Sequence, residues 1–216
     1  MSAATDRRRR AERLHPEKRR AQLVAAAVRA FARGGITATR HVDVARQAGT
    51  SPATVFHYFP SRESLREAVV GEVETMLKEF TESAAAPGVP PLESLKRVAR
   101  SFDRAVDVQP DLVRIWLDWS TAVDDTLWAR YLAFHDWATT RIGAVLERGQ
   151  KNGGLRRDLH PEDASRIFLA AAYEVSQMKV RGTPNAQVDR LIDGLISLFR
   201  FPDATPPVET GSPPKS

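Results

Sequence analysis

The chain has 216 residues, 42% of them hydrophobic, no cysteine and a formal net charge of +5. This is enough apolar material for a small head plus one larger domain, and the lack of cysteine excludes disulfides and thiolate chemistry. No run of about eighteen apolar residues could span a bilayer, and the Arg-rich start lacks the apolar stretch of a secretory signal, so a cytoplasmic protein without membrane contact is expected.

Residues 1–15 read as a basic flexible arm. The first 66 residues hold fourteen Lys/Arg against five Asp/Glu, a charge of +9, while the remaining 150 hold eighteen against twenty-two, or −4. A basic N-terminal third on an acidic body suits a head that binds a polyanion. After Pro16, the residues Leu23, Val24, Ala27, Val28 and Phe31 recur at helical spacing up to Gly34-Gly35, predicting a first helix of about 18 residues.

Residues 41–60 carry the clearest signal. Val42, Val44, Ala45 and Ala48 make one side of a short helix apolar, and Gly49 supplies the left-handed position that ends it. Ser51 caps a second short helix whose first position suits Pro52, and Pro60 stops it after about two turns. Val55, Phe56 and Phe59 are expected to anchor inward, leaving Ala53, Thr54, His57 and Tyr58 outward on a helix small enough for a major groove. Residues 16–62 are therefore expected to be a helix-turn-helix that reads double-stranded DNA. The plainer alternative is a helical hairpin with a solvated polar face.

Ser61 predicts the cap of a helix running towards residue 84, which Ala86-Pro-Gly-Val-Pro-Pro91 breaks. Further helices fit 91–107, 110–123, 125–151, 161–181 and 185–200, with turn residues between them, and no segment alternates as a strand would. The expected fold is all-α with nine helices, a helical body over 63–201 and a disordered tail over 202–216 rich in Pro, Ser, Thr and Gly. Within the body, Ile167, Ala171, Val175 and Met178 form one apolar stripe, and Leu191, Leu195, Leu198 and Phe199 belong to another. Such stripes serve either a four-helix dimer interface or the subunit's own core. The rings of Trp116, Trp119, Trp128, Tyr131, Phe134 and Trp137 are expected mostly to fill the core.

Several stretches resemble the TetR family of transcriptional regulators. They are Phe31-Ala-Arg-Gly-Gly35, Asp43-Val-Ala45 and Ala48-Gly-Thr-Ser-Pro-Ala-Thr-Val-Phe-His-Tyr-Phe-Pro-Ser-Arg-Glu-Ser-Leu65. The arm ending Arg13-Leu-His-Pro-Glu-Lys-Arg-Arg20, together with His41-Val-Asp-Val-Ala45 and Val113-Arg-Ile-Trp-Leu-Asp-Trp-Ser120, is similar to the quorum-sensing master regulators of the LuxR/HapR/SmcR type within that family. The resemblance implies a homodimer that regulates transcription from a pseudo-palindromic operator. It implies that Ser51, Thr54 and Tyr58 contact phosphates and bases and that Arg62 clamps the backbone. Thr39, Arg40 and His41 would lead into a helix start able to hold a phosphate, and Arg9, Arg10 and Arg13 would follow the minor groove. It places a pocket for a small effector of unidentified chemistry at Leu77, Phe80, Trp116, Trp119, His135 and Ala172. Position 57 departs from the group's usual Asn, which removes an Asn-to-adenine pairing. Thr37-Ala-Thr-Arg40 also replaces a Gly/Arg-rich segment.

Enzyme chemistry finds no support in the chain. The histidines at 15, 41, 57, 135 and 160 are scattered, and the lone Glu12-to-His15 spacing has no second copy of the kind helical di-iron sites require. No phosphate-binding glycine loop occurs and no cofactor is expected. The competing class is a helical scaffold whose arm binds RNA or membrane without sequence preference, which sequence-blind, salt-sensitive binding would reveal.

Overall fold

The computed structural model describes residues 15–83, 88–123 and 126–200, which form nine α-helices and no strand. They are α1 (Pro16–Gly34), α2 (His41–Ala48), α3 (Pro52–Tyr58), α4 (Arg62–Ser83), α5 (Pro91–Val108), α6 (Pro110–Trp119), α7 (Trp128–Lys151), α8 (Pro161–Val180) and α9 (Asn185–Phe199). The expected arm positions Arg9, Arg10 and Arg13 and the tail from 202 lie outside the described residues. No described helix is long and apolar enough to cross a membrane.

The chain divides into two compact units. The first takes the described residues up to Glu79 together with Ala105–Phe134, so the head expected at 16–62 shares its unit with most of α4, with α6 and with the start of α7. Its core is made by Leu23, Val24, Ala27 and Phe31 of α1, Val44 and Ala45 of α2, and Leu65, Val69 and Val73 of α4, together with Ile115 and Trp119 of α6. Gly35, at φ 83°, ends α1 and donates its N–H to the Phe31 carbonyl. Gly34 must lack a side chain, because a Cβ there would lie 2.6 Å from the Thr39 hydroxyl. Gly49 adopts φ 62°, ψ 39°, the left-handed conformation the sequence predicts.

The loop between α6 and α7 departs from expectation. The sequence predicts helix to 123 and again from 125, whereas α6 stops at Trp119 and α7 begins at Trp128. Ser120 and Thr121 donate their hydroxyls to the Leu117 and Asp118 carbonyls at 2.8 and 3.0 Å, competing for groups a longer helix would use. The Trp119 indole N–H donates to the Leu127 carbonyl at 3.1 Å and folds the segment back.

The second unit comprises Phe80–Arg104 and the described residues from His135 onward. Leu95, Val98 and Phe102 of α5, Ile142 and Val145 of α7, Phe168, Ala172 and Val175 of α8, and Val188, Ile192 and Leu195 of α9 fill its core. At the end of the described residues, Arg200 makes an antiparallel bridge with Leu155. Arg100 of α5 pairs with Asp189 of α9, and the Phe168 and Phe199 rings meet with centroids 6.2 Å apart.

Candidate nucleic-acid interface

Helix α3 is held by its own ends. Ser51 accepts the Thr54 N–H on its hydroxyl at 3.2 Å, and Pro52 occupies the first helical position, where no N–H is needed. The Ser51 and Thr54 hydroxyls also hydrogen-bond each other at 3.0 Å, which orients both at the helix start. Val55 and Phe59 are buried, and the Arg20 guanidinium lies 5.2 Å above the Phe59 ring. Ser51, Ala53 and His57 are exposed, while Thr54 and Tyr58 are half-buried; the His57 and Tyr58 rings meet edge to face at 5.1 Å. Of the residues expected to face outward on α3, Ala53 and His57 are thus exposed and Thr54 and Tyr58 are exposed in part.

Phe56 does not anchor inward. It is 50% exposed and stacks on the His41 ring, with centroids 3.9 Å apart and planes 5° from parallel. Val42, expected on the apolar side of α2, is likewise 46% exposed. His41 and Thr39, expected among the DNA contacts, are buried at 6% and 2% exposure. A ring nitrogen of His41, Nε2, bonds the Phe59 carbonyl at 2.8 Å, and Thr39 donates its hydroxyl to the Gly35 carbonyl at 2.9 Å. Both side chains thus serve the packing of the head. Arg40 is exposed at the N-cap of α2, where its backbone N–H donates to Asp43 at 3.0 Å. Arg62 is half-buried in the first turn of α4, which Ser61 and Ser64 cap reciprocally at 3.0 and 3.2 Å.

The expected effector residues divide between the units. Leu77, Trp116 and Trp119 belong to the first, and all three are core side chains; Trp119 also lies edge-on to Tyr131 at 5.3 Å. Phe80, His135 and Ala172 belong to the second, with Ala172 fully buried and Phe80 edge-on to Phe102 at 5.4 Å. Burial, and after it the Arg166 charge, lowers the His135 pKa, with Asp136 opposing. A groove of about 620 Å3 in the first unit runs between the exposed flank of α1 and the α5–α6 junction at Val108–Leu112, and a cleft of about 720 Å3 in the second lies between α7 and the start of α8. None of the six expected residues lines either.

The dimer stripes also split. Val175, Leu195 and Phe199 point into the second unit's own core, Ala171, Met178 and Leu191 are half-buried, and Ile167 and Leu198 are 51% and 56% exposed. Among the described residues no group of His, Asp or Glu is arranged to hold a metal ion.

A capped two-turn helix after a glycine turn, with hydroxyl and aromatic side chains outward on a basic head, defines a helix-turn-helix DNA-binding regulator. Residues 23–69 match the family described as bacterial regulatory proteins, tetR family. The HTH-type transcriptional regulator BetI of Rhizobium meliloti is 30% identical over 168 residues, covering 78% of this chain and 79% of that one. LuxR of Vibrio harveyi is 25% identical over 187 residues, covering 87% and 91%. A transcriptional regulator from Saccharomonospora viridis, solved in complex with choline, superposes with a TM-score of 0.70 at 23% identity, covering 84% of this chain and 95% of the other. The chain belongs to the TetR family of DNA-binding transcriptional regulators.

Two features of the site escaped sequence reasoning. The His41–Phe56 stack joins residues 15 apart and has no periodic signature. The bond from the Ile36 N–H to the Asp118 carboxylate joins residues 82 apart, and nothing local announces it.

Proposed function

We propose that the protein acts as a homodimer on a pseudo-palindromic operator, each subunit laying α3 in one of two successive major grooves. The observation that carries this reading is the α3 surface itself, where Ser51, Ala53 and His57 are exposed and Thr54 and Tyr58 partly so, on a helix locked by Val55 and Phe59. Ser51, Thr54 and Tyr58 take the base and phosphate contacts in this reading, with His57 at the groove floor and Arg40 and Arg62 on the flanking backbone. Thr39 and His41 support the head from within. Arg9, Arg10 and Arg13 follow the minor groove, consistent with the charge of +9 over the first 66 residues.

The exposed Ile167 and Leu198, flanked by Ala171, Met178 and Leu191, support pairing of α8 and α9 with their copies in a second subunit. Similarity to LuxR supports a role in quorum-sensing regulation, and the work of such a protein lies in the cytoplasm. The choline complex of the Saccharomonospora viridis regulator supports a second element of the reading, modulation by a small effector in the helical body.

Selection of bound sequences from random duplex DNA tests the central reading. An inverted repeat should emerge, bound at least about a thousandfold more tightly than random duplex. Binding that is sequence-blind and merely salt-sensitive would instead favour a basic helical scaffold.

A further inference from the structure

We propose that Asp118 and Arg130, at the end of α6 and the start of α7, are positioning residues for DNA reading, which hold the turn into α2 and the helix that follows α3. Both points lie inside the first unit. Asp118 Oδ2 accepts the Ile36 N–H at 2.6 Å, in the turn that carries the chain from α1 into α2. Gly35 supplies the φ of 83° that this turn takes, a conformation L side chains rarely adopt, and the same Asp118 oxygen lies beside it. The Ile36 side chain is buried, so the carboxylate pins a backbone already packed from the other side.

Arg130 holds the helix that leaves α3. Its Nε and Nη2 donate to the two carboxylate oxygens of Glu74 at 2.8 and 2.9 Å, while Nη1 donates to the Glu67 carbonyl at 3.1 Å. The guanidinium therefore spans two turns of α4, passing over Gly71, where a Cβ would lie 3.6 Å from Nη2. Charge-assisted, bidentate bonds of this kind fix direction as well as distance. Asp118 and Arg130 flank the loop that the Trp119-to-Leu127 bond closes. The turn entering α2 and the helix following α3 are thus tied to the same short stretch of chain, and neither tie uses a residue of the outward α3 face.

The proposal goes beyond operator recognition by α3 and rests on the homodimer reading only for half-site spacing. In full-length protein, Asp118→Ala should raise amide exchange across residues 35–40 and lower the ratio of operator to random-duplex affinity about tenfold. Affinity for random duplex should be unchanged. Asp118→Asn keeps an oxygen to accept the Ile36 N–H and should recover most of that ratio. Arg130→Met combined with Asp118→Ala should have less than the product of the single effects, because both act on one arrangement. On operators lengthened by one base pair between half-sites, Asp118→Ala should lose less affinity than the natural protein does. Unchanged exchange, an unchanged ratio, equal losses on operator and random DNA, or no recovery by Asn would overturn the proposal. Melting followed by circular dichroism identifies a merely unfolded variant, and Asp118→Asn then decides. If the natural protein ignores half-site spacing, the homodimer reading fails, while exchange and the affinity ratio still judge Asp118.

Discussion

Ser51 and Thr54 are hydrogen-bonded to each other but do different work, and substitution separates them. Ser51→Ala removes the cap as well as an outward hydroxyl and should cost about 1 kcal/mol of stability besides weakening operator binding. Thr54→Ala leaves the cap intact, so it should lower operator affinity about tenfold, roughly 1.4 kcal/mol, without moving the melting midpoint. Mobility shifts beside thermal melts check both, and a Thr54→Ala protein that binds its operator normally would remove Thr54 from the reading face. His41 behaves in the opposite way. His41→Ala breaks the Phe59 carbonyl bond and the Phe56 stack and should destabilise the protein by about 2 kcal/mol. At this scale the sequence exposes the capping residues, because their chemistry is local. It hides the roles of His41 and Thr39, since a polar residue at a helix start faces water or the interior according to partners that arrive from elsewhere in the chain.

The starts of α1, α3, α5, α6 and α8 were legible because each begins at a proline, which the first helical position tolerates and later positions do not. The end of α6 was not legible, since tertiary bonds of Trp119 and the hydroxyls of Ser120 and Thr121 decide it. Gly149 in α7 is an element-scale constraint of the same hidden kind. A Cβ there would approach Leu155 Cγ to 2.5 Å and Pro91 Cβ to 3.0 Å, so Gly149→Ala should cost about 1–3 kcal/mol by overpacking, read by chemical denaturation. His135, also in α7, gives a pH test. Burial holds its folded pKa below the ordinary value of 6.5, so the neutral ring is the form the fold prefers. Its contribution is complete above the unfolded pKa and is lost as pH falls through that value towards the folded one. Melting midpoints of the natural protein should drop as pH falls below about 6.5, and His135→Leu should make that drop shallower. Parallel curves for the two proteins would show that His135 does not titrate on unfolding.

At the scale of the molecule, the apolar stripes of α8 and α9 were visible in sequence, but their division was not. Both helices carry a broad apolar stripe, and periodicity cannot say which part faces the subunit's own core. The structure turns Val175, Leu195 and Phe199 inward and leaves Ile167 and Leu198 out. Ile167→Asp with Leu198→Asp should therefore leave the fold intact and yield a monomer in sedimentation, with operator affinity reduced at least a hundredfold. The charge asymmetry between head and body supplies the second test at this scale. Deleting residues 1–13 removes Arg7, Arg8, Arg9, Arg10 and Arg13, and every phosphate that the arm neutralises contributes about 0.9 to the slope of log affinity against log salt. The truncated protein should bind random duplex more weakly at low salt and show a slope shallower by several such steps. Its preference among operator sequences should change little where α3 does the reading. Affinities across a salt series measure this directly, and a slope that survives the deletion would place the arm away from DNA and leave the charge of the folded head to account for attraction to the duplex.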